Sequence, residues 1–360
     1  MKDTLMNIKE YEILFDRCKI TMNDSGNILF TPILEKEKGI IEKIINDNKL
    51  QNLDFENFQA LHKQFLPLYR ARKDLKQRKI EQFSSLTPQK VADLPIEQKV
   101  EYMEALFPIN QNIGELTETC KKNEQNIKSC LFSMDFPQDF WESEIKSATR
   151  YADLISQQPD IIEKMKNWQN TTLQEKKDTI TKAAKVFNYV YGTNIQIDFF
   201  TNEQEKAKIK EQNFDENTHI NAAYYKKGKL YFNEDRLQSS DNYFPISVLF
   251  HEGTHLRQDT QTFDNQLVNR ILNCNTESVA VYEDMAKSKE TNDYKDLYAM
   301  LPSEKHAHAL QMHVENELME KSGIEKDKTE TNKEIKDIHN KAFSMAQIAQ
   351  FHSRNKSKNV

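Results

Sequence analysis

Residues 251 to 255 read His-Glu-Gly-Thr-His, a spacing that can bind a metal ion and activate water. If the segment is helical, His251 and His255 lie one turn apart on the same face, as two imidazole ligands of one tetrahedral metal ion must. Glu252 then lies beside the metal, where its carboxylate can act as a general base. The spacing therefore predicts metal-dependent hydrolytic chemistry.

The residues around this motif predict the helix that it needs. Pro245 is a favoured first helical residue, and the polar residues 239–242 precede it. Leu249, Gly253 and Leu256 follow at i, i+4 and i+7 on the side opposite the histidines, so that side can pack against the domain. Because a glycine inside a helix costs about 1 kcal/mol relative to alanine, Gly253 predicts that close packing or substrate clearance compensates there.

Two histidines make an incomplete site, because catalytic zinc needs a third protein ligand and one position open for water. The sequence offers downstream carboxylates at Glu277 and Glu304. Pro302 is a favoured helix start and places Glu304 in the first turn, where the helix dipole favours negative charge. For either glutamate the alternative is a solvated or capping residue.

Four elements precede the motif helix and must position it. Apolar residues at helical spacing predict a long helix over 173–191, which Gly192 ends as a left-handed cap. The alternation from Ile195 to Phe199 predicts a half-buried strand. Residues 220–225 and 229–233 flank a lysine-rich turn and are predicted to form a β-hairpin.

The N-terminal part of the chain carries no catalytic pattern. Prolines, among them Pro67, are predicted to break residues 1–165 into a series of polar helices. We therefore predict an all-helical domain of unknown role at 1–165, a second domain at 166–320, and a charged helix with a basic tail at 321–360.

Composition narrows the class of protein. The 360 residues carry a formal net charge of -6, which provides no basic field for nucleic acid. Only seven glycines occur, which argues against a turn-dense all-β fold, so we expect a predominantly helical chain. Four irregularly spaced cysteines predict a reducing compartment, and no apolar run predicts membrane insertion. We expect a cytoplasmic protein, or one exported without a cleaved signal peptide.

The order of helix, strand, hairpin and His-Glu-x-x-His helix resembles the small zincin metallopeptidase domain. The segment from about 168 to 320 is similar to a minimal member of the gluzincin branch, and no His-x-x-Gly-x-x-His extension of the metzincins follows Glu252. The resemblance implies an α+β fold with a small antiparallel or mixed sheet and an active-site helix. It also implies bound Zn2+, a peptide or protein substrate, and an edge strand, matched by Leu230 to Asn233, on which an extended peptide is laid.

The two candidate third ligands resemble different relatives. Glu277 stands at a spacing from the motif similar to that in thermolysin-like enzymes, with one residue inserted in their Asn-Glu pair. Glu304 lies in the segment from Tyr298 to Ala307, which resembles the Tyr-x-x-x-Pro-x-Glu-x-x-Ala ending of short bacterial and phage domains of this type. On that resemblance, the predicted zinc ligands are His251, His255 and Glu304.

Further polar residues near these segments have a functional and an ordinary interpretation. Three histidines follow the favoured ligand: His306, His308 and His313. His308 is i+4 from Glu304 and could hold that ligand or a substrate oxyanion, or simply lie at the surface. Tyr224 and Tyr298 are candidate oxyanion donors or packing residues.

Two functions are compatible with the sequence. In the first, the protein is a zinc metallopeptidase in which Glu252 takes a proton from metal-activated water and returns it to the leaving amine. In the second, the protein is a helical interaction or effector protein whose motif is coincidental or noncatalytic, and the N-terminal half is the functional part. Bound zinc in the purified protein distinguishes the first from the second.

Overall fold

The structure is a computed structural model, and it describes residues 6–33, 38–106, 113–211, 223–226, 228–239, 244–274 and 301–323. Within these ranges the chain is predominantly helical with two small sheets, which confirms the predicted α+β class. Within the described ranges, one compact unit contains the residues up to Cys130 and a second contains the residues from Leu131 onward.

The N-terminal part contains six helices and a two-stranded sheet among the described residues. Their bounds are α1 Ile8–Arg17, β1 Cys18–Met22, β2 Ile28–Pro32, α2 Lys38–Asp47, α3 Phe55–Ser84, α4 Pro88–Ala92, α5 Ile96–Leu106 and α6 Ile113–Ser133. The first helix starts with a capping box, in which Asn7 and Glu10 each bond the other's main-chain N–H.

The prediction that residues 1–165 are all-helical is wrong, because β1 and β2 form an antiparallel hairpin. Its register runs from Cys18 opposite Pro32 to Met22 opposite Ile28. Alternating burial in both strands places Cys18 and Ile28 in the core. The turn between them uses Gly26 at φ 80°, a left-handed conformation that glycine adopts without strain.

The predicted helix break at Pro67 is also wrong, since Pro67 lies inside the 30-residue helix α3. A proline in a helix interior removes one hydrogen bond and costs about 3 kcal/mol. The packing of α3 before and after Pro67 offsets this free-energy cost. Phe65 and Phe83 are buried, and the ring of Tyr69 meets that of Tyr11 edge-on at a centroid distance of 5.9 Å.

The second unit contains the remaining helices and a three-stranded sheet among the described residues. Their bounds are α7 Gln138–Ser156, α8 Pro159–Lys166, α9 Leu173–Tyr191, β3 Gln196–Phe200, α10 Asn202–Glu211, β4 Ala223–Lys226, β5 Lys229–Asn233, α11 Glu234–Ser239 and α12 Phe244–Thr260, followed by α13 at 266–274 and by α14 Pro302–Ser322. The left-handed Gly192 ends α9 as predicted.

The bounds of the compact units differ from the predicted domains 1–165 and 166–320. Helices α7 and α8, which the sequence assigns to the first domain, contribute Tyr151, Ile155 and Met165 to the core of the second unit. Their apolar faces pack against α9 and against each other. The sequences of α7 and α8 are mostly polar, because each helix buries only one narrow apolar stripe, so their place in this core is not evident from the sequence.

The strand order of the second sheet is β3-β5-β4, with β5 parallel to β3 and antiparallel to β4. The segment Leu230 to Asn233, predicted to be an edge strand, therefore lies in the centre and is paired on both sides. Helix α12 packs against β4. Among the described strands, the sheet edge beside the motif helix thus belongs to β4.

The motif helix α12 lies among three other helices. It packs against α9 and α14, and α14 also packs against α7. Phe250, on α12, meets the rings of Tyr151 from α7 and Phe187 from α9 at centroid distances of 5.1 Å and 5.3 Å. The position of the motif is therefore set by a continuous apolar core.

Some sequence predictions fall outside the described residues. These are the candidate ligand Glu277, the candidate donor Tyr298, and the predicted helix and tail beyond Gly323. In the described ranges, no helix combines the length and the apolar content that crossing a bilayer requires.

Candidate metal centre

Helix α12 brings the two motif histidines together as their spacing predicts. The ring centroids of His251 and His255 are 4.7 Å apart, and their Nε2 atoms are separated by 3.1 Å. The side chains are only 13% and 17% exposed. Both imidazoles thus present the same nitrogen to one largely buried point.

Helix α14 supplies a third group at that point. It begins at Pro302, so Glu304 falls in the first turn, as predicted. The Glu304 carboxylate places Oε1 3.2 Å from His255 Nε2 and Oε2 3.6 Å from His251 Nε2, and its side chain is 4% exposed. His251, His255 and Glu304 form a group that can hold a metal ion.

The spacing of these ligand atoms fits tetrahedral zinc. Zinc lies about 2.0–2.1 Å from imidazole nitrogen and carboxylate oxygen, so two ligand atoms at corners of a regular tetrahedron are about 3.3 Å apart. The 3.1 Å between the two Nε2 atoms and the 3.2 Å from His255 Nε2 to Glu304 Oε1 lie close to this value, and the 3.6 Å contact of His251 Nε2 is with the other carboxylate oxygen, Oε2. The residues present therefore fit the metal that the motif predicts.

The electrostatics of the site favour a cation. Burial would raise the pKa of Glu304, but the charges and hydrogen bonds of His255 and His251 hold it well below its usual range. Burial likewise opposes charge on His255, but the Glu304 carboxylate outweighs it and raises the pKa of His255 to about 9. Without a metal, a proton on His255 balances Glu304, and a bound cation takes its place.

Glu252 lies beside the three ligands. Burial raises the pKa of its carboxyl, and the charges of His251 and His255 offset part of the rise. The main-chain N–H of Tyr225 in β4 donates a hydrogen bond to this carboxylate. A carboxylate that is held in place and has a raised pKa is suited to take up a proton and return it.

His308 lies in the wall of the site. Its ring centroid is 4.4 Å from that of His251, and its Nε2 lies 3.9 Å from Glu304 Oε2. The side chain is 14% exposed, so the surface interpretation of this histidine is wrong. Of its two functional interpretations, contact with the Glu304 ligand is the one that these distances support.

The other two histidines of the predicted cluster have different partners. His306 is 1% exposed, and its ring contacts those of Phe136, Phe140 and Trp141. His313 bonds the hydroxyl of Thr149 at 2.8 Å. Tyr224, a candidate oxyanion donor, stacks on Tyr231 at a centroid distance of 5.0 Å, which matches its packing interpretation.

Three residues close to the site were missed by the sequence analysis. Gln258 places its Oε1 2.8 Å from His255 Nδ1. Asp259 lies one helical turn beyond His255, close enough for the histidine to lower the pKa that burial raises. Both follow from i+3 and i+4 spacing, which is a readable signal. Tyr225 reaches Glu252 only through the folding of the hairpin, so no local pattern reveals it.

A buried ion pair joins the motif helix to α7. Arg257 donates two hydrogen bonds to Glu144, at 2.6 Å and 2.8 Å, and the two side chains are 7% and 5% exposed. The guanidinium also lies 3.9 Å from the ring centroid of Tyr191. Burial would raise the pKa of Glu144, but the hydrogen bonds of Arg257 and the nearby His306 ring lower it to about 2.

Comparisons with protein-family models, with curated proteins and with solved structures give no match to this chain.

Gly253 is required by the packing of α12 against α9. A Cβ at this position would lie 2.8 Å from Cζ of Phe187, whose ring is enclosed by aromatic neighbours. We expect Gly253→Ala to lower the free energy of unfolding by about 1–3 kcal/mol, despite its better helix propensity. Chemical denaturation measures this. Gly39→Ala is the control, because the same atom there meets nothing within 4 Å; equal effects of both changes would contradict the packing argument.

The buried pair makes a pH-dependent contribution to stability. The folded-state pKa of Glu144 is below its unfolded value of about 4.5, so the stabilisation is present above pH 4.5 and is lost as pH falls toward 2. At roughly 1.4 kcal/mol per pKa unit, the loss is on the order of 3 kcal/mol. Wild type should therefore lose stability over this range, as denaturation at several pH values will measure.

Removing the negative charge tests the same pair at neutral pH. Glu144→Gln leaves the buried Arg257 without its counter-charge, so we expect a loss of about 3–5 kcal/mol in unfolding free energy. Asp153→Asn is the control, because the Asp153 pair with Lys321 is exposed and should cost less than about 1 kcal/mol. A Glu144→Gln variant as stable as Asp153→Asn would show that the buried pair contributes little.

Proposed function

We propose that the protein is a zinc-dependent peptidase in which His251, His255 and Glu304 hold Zn2+ and Glu252 is the general base. The observation that supports it most is the convergence of two imidazoles and one buried carboxylate, at separations of 3.1 to 3.6 Å, beside a second carboxylate. Two nitrogen ligands and one oxygen ligand are the donor set of catalytic zinc in many hydrolases.

The donor set favours zinc over the common hard cations. Magnesium and calcium prefer ligand shells made of oxygen, whereas two of the three donors here are imidazole nitrogens. Three protein ligands leave one tetrahedral position for water or substrate, as a catalytic site requires. A structural zinc site would be closed by four protein ligands.

The chemistry is divided between the metal and the chain. When bound, zinc supplies a Lewis acid and lowers the pKa of water to about 7. Glu252, held by the Tyr225 N–H, removes a proton from the attacking water and delivers it to the nitrogen of the leaving amine. Its raised pKa favours both transfers, because it brings the carboxyl closer to the working pH.

The substrate is a peptide or protein, and the edge of β4 is the place where an extended chain would lie. Among the described strands, β4 is paired only with β5, and α12 packs against it. Main-chain pairing with a sheet edge binds extended peptides without regard to most of their side chains. The central strand β5 cannot take this role.

The proposed ligand set is tested by zinc titration of variants of the full chain. Glu304→Ala should lose zinc affinity by more than the roughly 10–100-fold loss typical of residues that only contact a ligand. Glu320→Ala, an exposed change on the same helix, should keep wild-type affinity. Glu277→Ala is expected to retain zinc. Loss of zinc in Glu277→Ala but not in Glu304→Ala would exclude Glu304 as the third ligand.

The role of Glu252 is tested by separating metal binding from turnover. Glu252→Gln should bind zinc as tightly as wild type and remain folded, but lose at least about 100-fold of its hydrolytic rate, because an amide cannot carry the proton. Products from a diverse peptide library, detected by mass spectrometry, provide the measurement. Hydrolytic activity in Glu252→Gln would contradict the assignment of Glu252 as the general base. A wild-type chain that holds no zinc would favour the helical interaction protein instead.

A further inference from the structure

Gln258 contacts a proposed zinc ligand on one helix and the turn that carries another ligand on a second helix. We propose that Gln258 is a positioning residue, which fixes His255 for zinc binding and joins it to the start of the helix that carries Glu304. This inference rests on the proposed zinc site.

The orientation of the Gln258 amide follows from a main-chain carbonyl. Its Nε2 lies 3.2 Å from the carbonyl oxygen of Ser303, which can only accept a hydrogen bond. The amide nitrogen therefore faces Ser303, and the amide oxygen faces His255 Nδ1 at 2.8 Å. An amide oxygen also only accepts, so Nδ1 of His255 carries the hydrogen.

This hydrogen bond prepares the other nitrogen of His255. When the proton on Nε2 leaves, the hydrogen held on Nδ1 keeps the lone pair of Nε2 directed toward His251 and Glu304, 3.1 Å and 3.2 Å away. The bond also limits rotation of the ring. A ligand held in the binding tautomer loses less entropy when the metal binds.

The chain of hydrogen bonds continues away from the metal site. Gln258 Nε2 also lies 3.0 Å from His306 Nδ1, which therefore accepts. The hydrogen of His306 is then on Nε2, which lies 3.4 Å from Glu144 Oε2 and has no hydrogen-bond partner among the described residues. Arg257 holds this carboxylate in a bidentate pair. The chain of hydrogen bonds therefore runs from His255 through Gln258 to His306 and ends there.

The two proposed histidine ligands differ in whether Nδ1 has a hydrogen-bond partner. Among the described residues, Nδ1 of His251 has no hydrogen-bond partner, although it is buried. His255 is therefore the imidazole whose tautomer a side chain determines. Because Gln258 also bonds Ser303, the residue before Glu304, one amide holds the spacing of ligands from α12 and α14.

Zinc titration of the full chain tests this role with three variants. Gln258→Leu removes the acceptor and the donors, and Gln258→Glu keeps an acceptor for His255 Nδ1–H. Gln311→Leu is the matched control, since Gln311 is a buried amide that joins the same two helices by bonding Ser247 at 3.2 Å. The visible spectrum of the Co2+-loaded forms reports ligand geometry independently of stability.

We expect Gln258→Leu to weaken zinc binding by about 10–100-fold and to change the Co2+ spectrum. Gln311→Leu should stay within about threefold of wild type, and Gln258→Glu should lose less affinity than Gln258→Leu, because it keeps an acceptor for the His255 ring although it loses the donor to Ser303. Wild-type affinity in Gln258→Leu, or an equal loss in Gln258→Glu or Gln311→Leu, would overturn the inference alone. A wild-type chain that binds neither metal would overturn the proposed site and this inference together.

Discussion

The structure of the second unit depends on one carboxylate that is almost removed from water. Glu304 is 4% exposed, and an ionised carboxylate in that position is stable only with positive charge and hydrogen bonds around it. The two histidines of α12 satisfy that requirement, because His255 carries a proton when no cation is bound and both rings can bind a cation. The contacts that stabilise this buried charge therefore also bring three possible metal ligands to one point.

Consecutive residues at the start of α14 are held by different partners. Glu304 faces the motif histidines. Lys305 donates hydrogen bonds to the carbonyl oxygens of Phe132 and Met134. The ring of His306 packs in an aromatic group. Three buried polar side chains in one turn leave little freedom in the position of that turn. The Arg257–Glu144 pair adds a further fixed contact between α7 and α12. Precise ligand spacing follows from these polar contacts as much as from apolar packing.

The sequence predicted the parts of the site that depend on local spacing. Helical spacing places His251 and His255 on one face, and Pro302 places Glu304 in a first turn, because both follow from the geometry of a single helix. The third ligand could be chosen only by resemblance, since no local rule connects Glu304 to a motif about fifty positions earlier in the chain.

The errors and omissions concern contacts between distant parts of the chain. Glu144 meets a partner 113 positions away, which no periodicity encodes. The central position of β5 depends on which strand pairs on its second side, and that is set by tertiary packing. The hairpin at 18–32 is different: its alternation and Gly26 are readable, but helical patterns elsewhere in the region obscured them.

The central claim is that three named side chains hold one zinc ion. Crystals of the full chain grown with zinc, measured on both sides of the zinc absorption edge, locate the ion directly. The account predicts one anomalous peak about 2.0–2.1 Å from Nε2 of His251, Nε2 of His255 and an oxygen of Glu304. A peak that Glu304 does not reach, or zinc bound only away from the two histidines, would contradict it.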